Sequence, residues 1–160
     1  EPSCILALRD DYIDLIESKD AKLVGNHAFM IEEFLMESHE AGELNLEFNG
    51  ARKDVLLHGH CHQRAIVGIQ PSVKALSLPP GYSVEVIDSS CCGMAGSFGY
   101  EKEHYDLSMK IGELRLFDKI KQKEGEFEVA VAGVSCREQI KQGTGKEPKH
   151  LIELLADAIR

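Results

Sequence analysis

Cys4, Cys61, Cys91, Cys92 and Cys136 are the side chains of this chain best suited to chemistry. Small secreted scaffolds carry more cysteines, in even number, behind a signal peptide; an odd five points to a reducing compartment where thiols serve metal or redox work. Any one alone could be a buried apolar residue. Cys91 and Cys92 are adjacent, so two sulfurs diverge from one short turn. Several convergent thiolates suit a soft metal centre, either zinc or an iron–sulfur cluster. Structural zinc usually sits in C-x-x-C knuckles, and the chain has none. A vicinal pair suits a multinuclear cluster, which is wider than one ion. A Cys91–Cys92 disulfide is the strained covalent alternative. Thiol–disulfide exchange through the same pair would need an exposed thiol of low pKa, and no C-x-x-C supports it.

Residues around the thiols fit the same chemistry. Glycine recurs at every third position in Gly93-Met94-Ala95-Gly96-Ser97-Phe98-Gly99, and glycine lets backbone amides approach a ligand closely. A thiolate-bound cluster is anionic and gains from amide donors and a helix N-terminus, so Gly93 and Gly96 are expected beside it. A phosphate loop would use the same donors, but the Lys-Ser/Thr of a P-loop and the Rossmann spacing are missing. His58-Gly59-His60-Cys61-His62 is dense in imidazole. Cys61 is the expected ligand there, with His60 or His62 supporting it. Strand alternation would put His58 and His60 on one face and Cys61 on the other. His104 and His150 read as helix-end polar residues, and His27 and His39 receive no role.

Three short apolar runs, each followed by turn residues and a helical pattern, read as buried parallel strands: Val55–His58, Ser83–Ile87 and Glu128–Ala132. Helices are expected at about Gln63–Leu76, Glu101–Lys123, Arg137–Gln142 and Leu151–Ile159. In the long one, Tyr105, Met109, Ile111, Leu114 and Phe117 recur at helical spacing and would face the sheet. Ahead of this unit, residues 5–17 and 27–41 read as two helices, with Ile5, Leu8, Tyr12 and Leu15 lining the first. Phe29, Ile31, Phe34 and Leu35 form the stripe of the second, and Asn26 is its expected N-cap. The expected fold is α/β, a three-layer Rossmann-like parallel sheet flanked by helices with right-handed crossovers. Cys61, Cys91-Cys92 and Cys136 each follow a strand, so four thiols converge at the carboxyl ends of the strands, where open parallel sheets bind ligands.

Composition narrows the classes. At 160 residues and 43% apolar the chain has the size and character of one soluble domain. No apolar run is long enough to span a bilayer. The net charge of −9 lies wholly within residues 1–50, which hold 12 acidic and 3 basic residues; the remainder holds 15 of each. This balance argues against nucleic acid or an anionic membrane as partner. The acidic segment reads as a solvated helix face, or as a docking face for another subunit.

The segments His58–His62, Ser90–Gly99 and Val134-Ser135-Cys136-Arg137-Glu138-Gln139-Ile140 together resemble the CCG, or cysteine-rich, domain family. This family includes the cysteine-rich subunit of heterodisulfide reductase and the iron–sulfur subunits of glycolate and anaerobic glycerol-3-phosphate dehydrogenases. The branch it resembles most is the long FAD-linked oxidases, which join a flavin dehydrogenase, a ferredoxin-like segment and two CCG modules. The resemblance implies an iron–sulfur electron-transfer module of an FAD-linked oxidoreductase acting on a small 2-hydroxy acid, catalytically incomplete alone. Its FAD would lie on a different domain or subunit. Implied partners are that flavin domain, an upstream CCG half and the ferredoxin-like segment, in the cytoplasm or in a peripheral complex on the inner membrane face. By the same reading, residues 1–50 continue from an upstream CCG half and residues 51–160 form the C-terminal CCG domain. The chain departs from the family pattern at Gly133, where the fuller motif has a cysteine. Cys61, Cys91, Cys92 and Cys136 then match the complement of a [4Fe–4S] cube, with a zinc-stabilised interaction domain as the alternative. Cys4, preceded by serine like Cys136, is expected to close the upstream site; its other reading is a fifth ligand replacing the cysteine absent at Gly133.

Overall fold

The computed structural model describes residues 1–160. Four helices open the chain: α1 (Pro2–Arg9), α2 (Asp11–Leu15), α3 (Lys19–Asn26) and α4 (Ile31–Glu40). The helix expected over 5–17 breaks at Asp10, whose φ of −120° and ψ of −77° leave the helical region. A third helix follows because the Ser18 hydroxyl accepts from the Ala21 N–H at 3.0 Å, an N-cap that the apolar pattern alone did not reveal. Asn26 ends α3 rather than capping α4. The cap of α4 is Met30, whose N–H donates to the Glu33 carboxylate at 3.0 Å, and Arg9 holds that carboxylate at 2.8 Å. With the helices shortened and turned, the expected stripes hold only in part: Ile5 and Leu35 pack against the core. Leu15 is 80% exposed, and Tyr12, Ile31 and Phe34 are also exposed, while Leu6, Met30 and Met36 enter the core.

The sheet has four parallel strands, β1 (Lys53–His58), β2 (Tyr82–Val86), β3 (Glu128–Val131) and β4 (Lys149–His150), in the order β2-β1-β3-β4. The three expected strands are present within a residue or two; β4, two residues long, was too short to carry a period. Helices α5 (Cys61–Ile66) and α6 (Gln70–Leu76) join β1 to β2. They replace the single helix expected there, because Gly68 turns left-handed and Pro71 in the first turn of α6 has no N–H to continue a helix. After a 3-10 turn at Phe98–Tyr100 come α7 (Tyr105–Glu113) and α8 (Leu116–Gln122). The chain then runs through β3 into α9 (Val134–Thr144), and α10 (Leu151–Ala158) follows β4.

Strand alternation sorts the core into two layers. Val55, Leu57, Ala130 and Ala132 face Leu6, Met30, Met36, Leu76, Leu151 and Leu154, so α1, α4, α6 and α10 cover one side. Leu56, Val129 and Val131 face Leu116, Phe117, Ile120 and Ile140, together with Cys92 and Cys136, on the other. The fold is the expected α/β type. The helix expected over 101–123 breaks at Arg115, leaving Tyr105 and Leu114 exposed rather than on the sheet. Phe117 is fully buried because its ring enters a gap left by two glycines: a Cβ at Gly112 or Gly143 would come within 2.3 Å of it. No helix is long and apolar enough to cross a membrane.

Candidate metal centre

β1 continues through two helices to β2 on one side, whereas β3 continues through α9 to β4 on the other. The connections therefore part above the β1–β3 pair, and such a switch point opens a crevice at the carboxyl ends of the strands. The thiols lie around it. Cys61 is the first residue of α5 and is exposed; Cys91 and Cys92 follow β2, half-buried and buried; Cys136 is buried in the first turn of α9. Cys136, expected just before its helix, lies within it, because the helix starts three residues earlier than expected, at Val134. The change places it nearer the core, beside Ile140 and Val131.

The four sulfurs neighbour one another in a line, Cys61 beside Cys91, Cys91 beside Cys92, and Cys92 beside Cys136. Their proton affinities alternate along it. The bond to Cys91 pushes the Cys61 thiol up, and the bond to Cys136 does the same for Cys92. Cys91 is pulled down by Cys61 and then Cys92, and Cys136 is pulled down by Cys92, against the opposing effect of its burial. The four thiols therefore form a donor–acceptor chain, Cys61 and Cys92 donating and Cys91 and Cys136 accepting. No three His, Cys, Asp or Glu side chains are grouped so as to hold a metal ion.

Backbone amides serve three of these sulfurs. Gly93 N–H donates to Cys91 Sγ at 3.4 Å, and the His62 and Met94 amides lower the Cys61 and Cys92 thiols. The loop is built to bring them there. Gly93, Ala95 and Gly96 all have positive φ, and for Ala95 this costs about 1 kcal/mol. A Cβ at Gly93 would fall 2.1 Å from the Ser108 carbonyl oxygen. That close approach is fixed by Ser108, whose hydroxyl donates to the Gly93 carbonyl at 2.8 Å, and by Gln139, whose amide donates to the Ser108 carbonyl at 3.1 Å.

The histidines divide. His60 is buried, accepts from the His62 N–H through Nδ1 at 3.2 Å, and has Nε2 3.4 Å from the Ser3 hydroxyl. At His62 the backbone, rather than the ring, reaches a sulfur. Sequence reasoning missed His58. It sits on the sheet face that carries Leu56 and Val131, it is 1% exposed, and it lies against Cys136. Period-two alternation along β1 could have revealed this, since Leu56 and His58 share a parity. β1 ends at His58 and α5 begins at Cys61, so the alternation drawn through His60 and Cys61 does not continue.

Cys4 is exposed and stands third in α1, as Cys136 stands third in α9, each preceded by serine. The Glu1 carboxylate links the two helix starts, accepting from the Val134 N–H at 2.7 Å and from the Ser3 N–H at 3.4 Å.

The chain is similar over nearly its full length to several known proteins. It is 31% identical over 157 residues to one subunit of the anaerobic glycerol-3-phosphate dehydrogenase of Escherichia coli, covering 98% of this chain and 39% of that subunit. Further relatives are also dehydrogenases. D-2-hydroxyglutarate dehydrogenase of Pantoea ananatis is 26% identical over 160 residues, 99% of this chain and 15% of that protein. The D-2-hydroxyglutarate dehydrogenase of Haemophilus influenzae is 25% identical over 166 residues, 100% of this chain and 16% of its own length. The chain thus spans well under half of each of these relatives. No family model and no solved structure matches it.

Proposed function

We propose that this chain is an iron–sulfur electron-transfer module of a flavin-linked dehydrogenase, with Cys61, Cys91, Cys92 and Cys136 holding a [4Fe–4S] cluster. The observation that carries the reading is the gathering of four thiols, from the ends of three strands, into one line at the switch point of the sheet. The donor set fits the group. Four soft sulfurs match the ligand count of a cube, and amides from Gly93, His62 and Met94 are placed to offset its negative charge. When bound, such a cluster supplies one-electron transfer.

Similarity to proteins named glycerol-3-phosphate and D-2-hydroxyglutarate dehydrogenases supports the oxidoreductase setting. The substrate of the parent protein is then a small 2-hydroxy acid or a similar alcohol, oxidised on a flavin domain that partners this one. Residues 1–50 continue from an upstream CCG half, and residues 51–160 form the C-terminal CCG domain. The assembly works in the cytoplasm or on the inner membrane face, with an upstream CCG half and a ferredoxin-like segment beside it.

Anaerobic reconstitution with iron and sulfide tests the reading. It predicts broad thiolate-to-iron absorption that a one-electron reductant bleaches reversibly, with no bound flavin and no turnover of lactate or glycolate. Measurable turnover by the isolated chain would overturn the electron-carrier assignment.

A further inference from the structure

His58 is the last residue of β1 and has 1% of its surface exposed. Its Nδ1 lies 2.8 Å from the hydroxyl of Ser89, itself 3% exposed. Its Nε2 is buried and has no hydrogen-bond partner in place. The Ser89 hydroxyl bonds to nothing except this ring. Its proton therefore has one acceptor within reach, the Nδ1 lone pair, and that fixes the tautomer. Were Nδ1 to carry the proton instead, the serine hydrogen and the Nε2 lone pair would both be buried unused, at a cost of roughly 1–3 kcal/mol for each group. With the proton on Nε2, a single buried donor remains, on the sheet face where Leu56, Val131 and Cys136 pack together, and Cys136 is the sulfur beside the ring.

We propose that His58 donates a hydrogen bond from Nε2 to the Cys136 sulfur, with Ser89 holding the tautomer, and that this bond raises the reduction potential of the centre. The inference rests on Cys136 being a cluster ligand. Backbone amides reach the sulfurs of Cys61, Cys91 and Cys92, whereas the donor nearest Cys136 is this side chain. Hydrogen bonds to ligand sulfur favour the reduced, more negative state, because they draw charge off the thiolate. A donor on a central strand, clamped by a buried serine, holds its geometry better than a loop residue would.

Two measurements test this. Long-range nitrogen–proton NMR on the metal-free chain reads the tautomer directly: Nε2–H on His58 is expected, and Nδ1–H would overturn the proposal. The second compares wild type, His58→Leu, His58→Gln and Ser89→Ala after anaerobic reconstitution, by iron content and redox titration. All four should hold equal iron. His58→Leu should shift the one-electron equilibrium about tenfold toward the oxidised state, a potential lower by about 59 mV. His58→Gln, which keeps an N–H donor, should recover most of that shift, and Ser89→Ala should fall between. Unchanged potential in His58→Leu at full iron content would overturn the inference while leaving the electron-transfer reading intact. Loss of iron from both His58 variants would make His58 a ligand or a prop and overturn it too. A wild-type chain that takes no iron would instead defeat the electron-transfer reading and the claim about potential with it, and the tautomer would still decide the hydrogen bond.

Discussion

The His60 imidazole fills the space a side chain at Gly133 would need: a Cβ there would lie 2.6 Å from the His60 Cδ2. Gly133 is the N-cap of α9 with φ of −101°, which any residue adopts, so its glycine is set by room and not by backbone strain. The room beside the N-cap of α9 is thus taken by a ring from the β1–α5 turn.

Gly133→Ala should therefore destabilise the chain by about 1–3 kcal/mol, the usual cost of overpacking. Chemical denaturation checks it, and adding His60→Ala should restore most of the loss. A Gly133→Ala change within about 0.5 kcal/mol of wild type would mean that the ring yields freely.

Thiol reactivity in the reduced, metal-free chain should split by position. Cys91 is pulled down by its neighbours and half-exposed, so it keeps thiolate character below the usual thiol range; Cys61 is pushed up and stays protonated although more exposed. Iodoacetamide at about pH 6 should label Cys91 before Cys61, since the thiolate is the nucleophile. Mass spectrometry reads the order, and faster labelling at Cys61 would contradict the donor–acceptor chain.

Cys4→Ser should leave iron content and spectrum unchanged, because Cys4 is exposed on α1 and its expected site lies upstream. Cys92→Ser should strip or convert the cluster. Equal damage from both would make Cys4 a ligand of this one site.

Phe117→Ala should cost about 3–5 kcal/mol, since the ring is fully buried between α7 and α9. A loss below about 1 kcal/mol in a denaturation series would show that the glycine-lined gap collapses around the smaller residue.

Much of this fold was legible because its signals are local. The strands at Val55, Val84 and Val129 announce themselves as short apolar runs, and four of the five thiols follow them, which was enough to place the rim. Helix boundaries were less legible. The breaks at Asp10 and Arg115 carry no proline or glycine of their own, and the burial of Phe117 depends on Gly143, 26 positions away. Leu15 and Leu114 have the spacing of core residues and lie exposed; periodicity alone cannot show which side of a short helix meets the sheet. His58 was legible in principle, through its parity with Leu56. Its relation to Ser89 and Cys136 joins three strand ends, and only the assembled sheet displays it.

The most direct test of the central claim is metal analysis of the chain purified and reconstituted without oxygen. Four thiolates at one sheet rim predict about four irons and matching sulfide per chain, with zinc well below stoichiometric. Stoichiometric zinc with no iron uptake would contradict the account and make the cysteines the staples of a zinc-stabilised interaction domain.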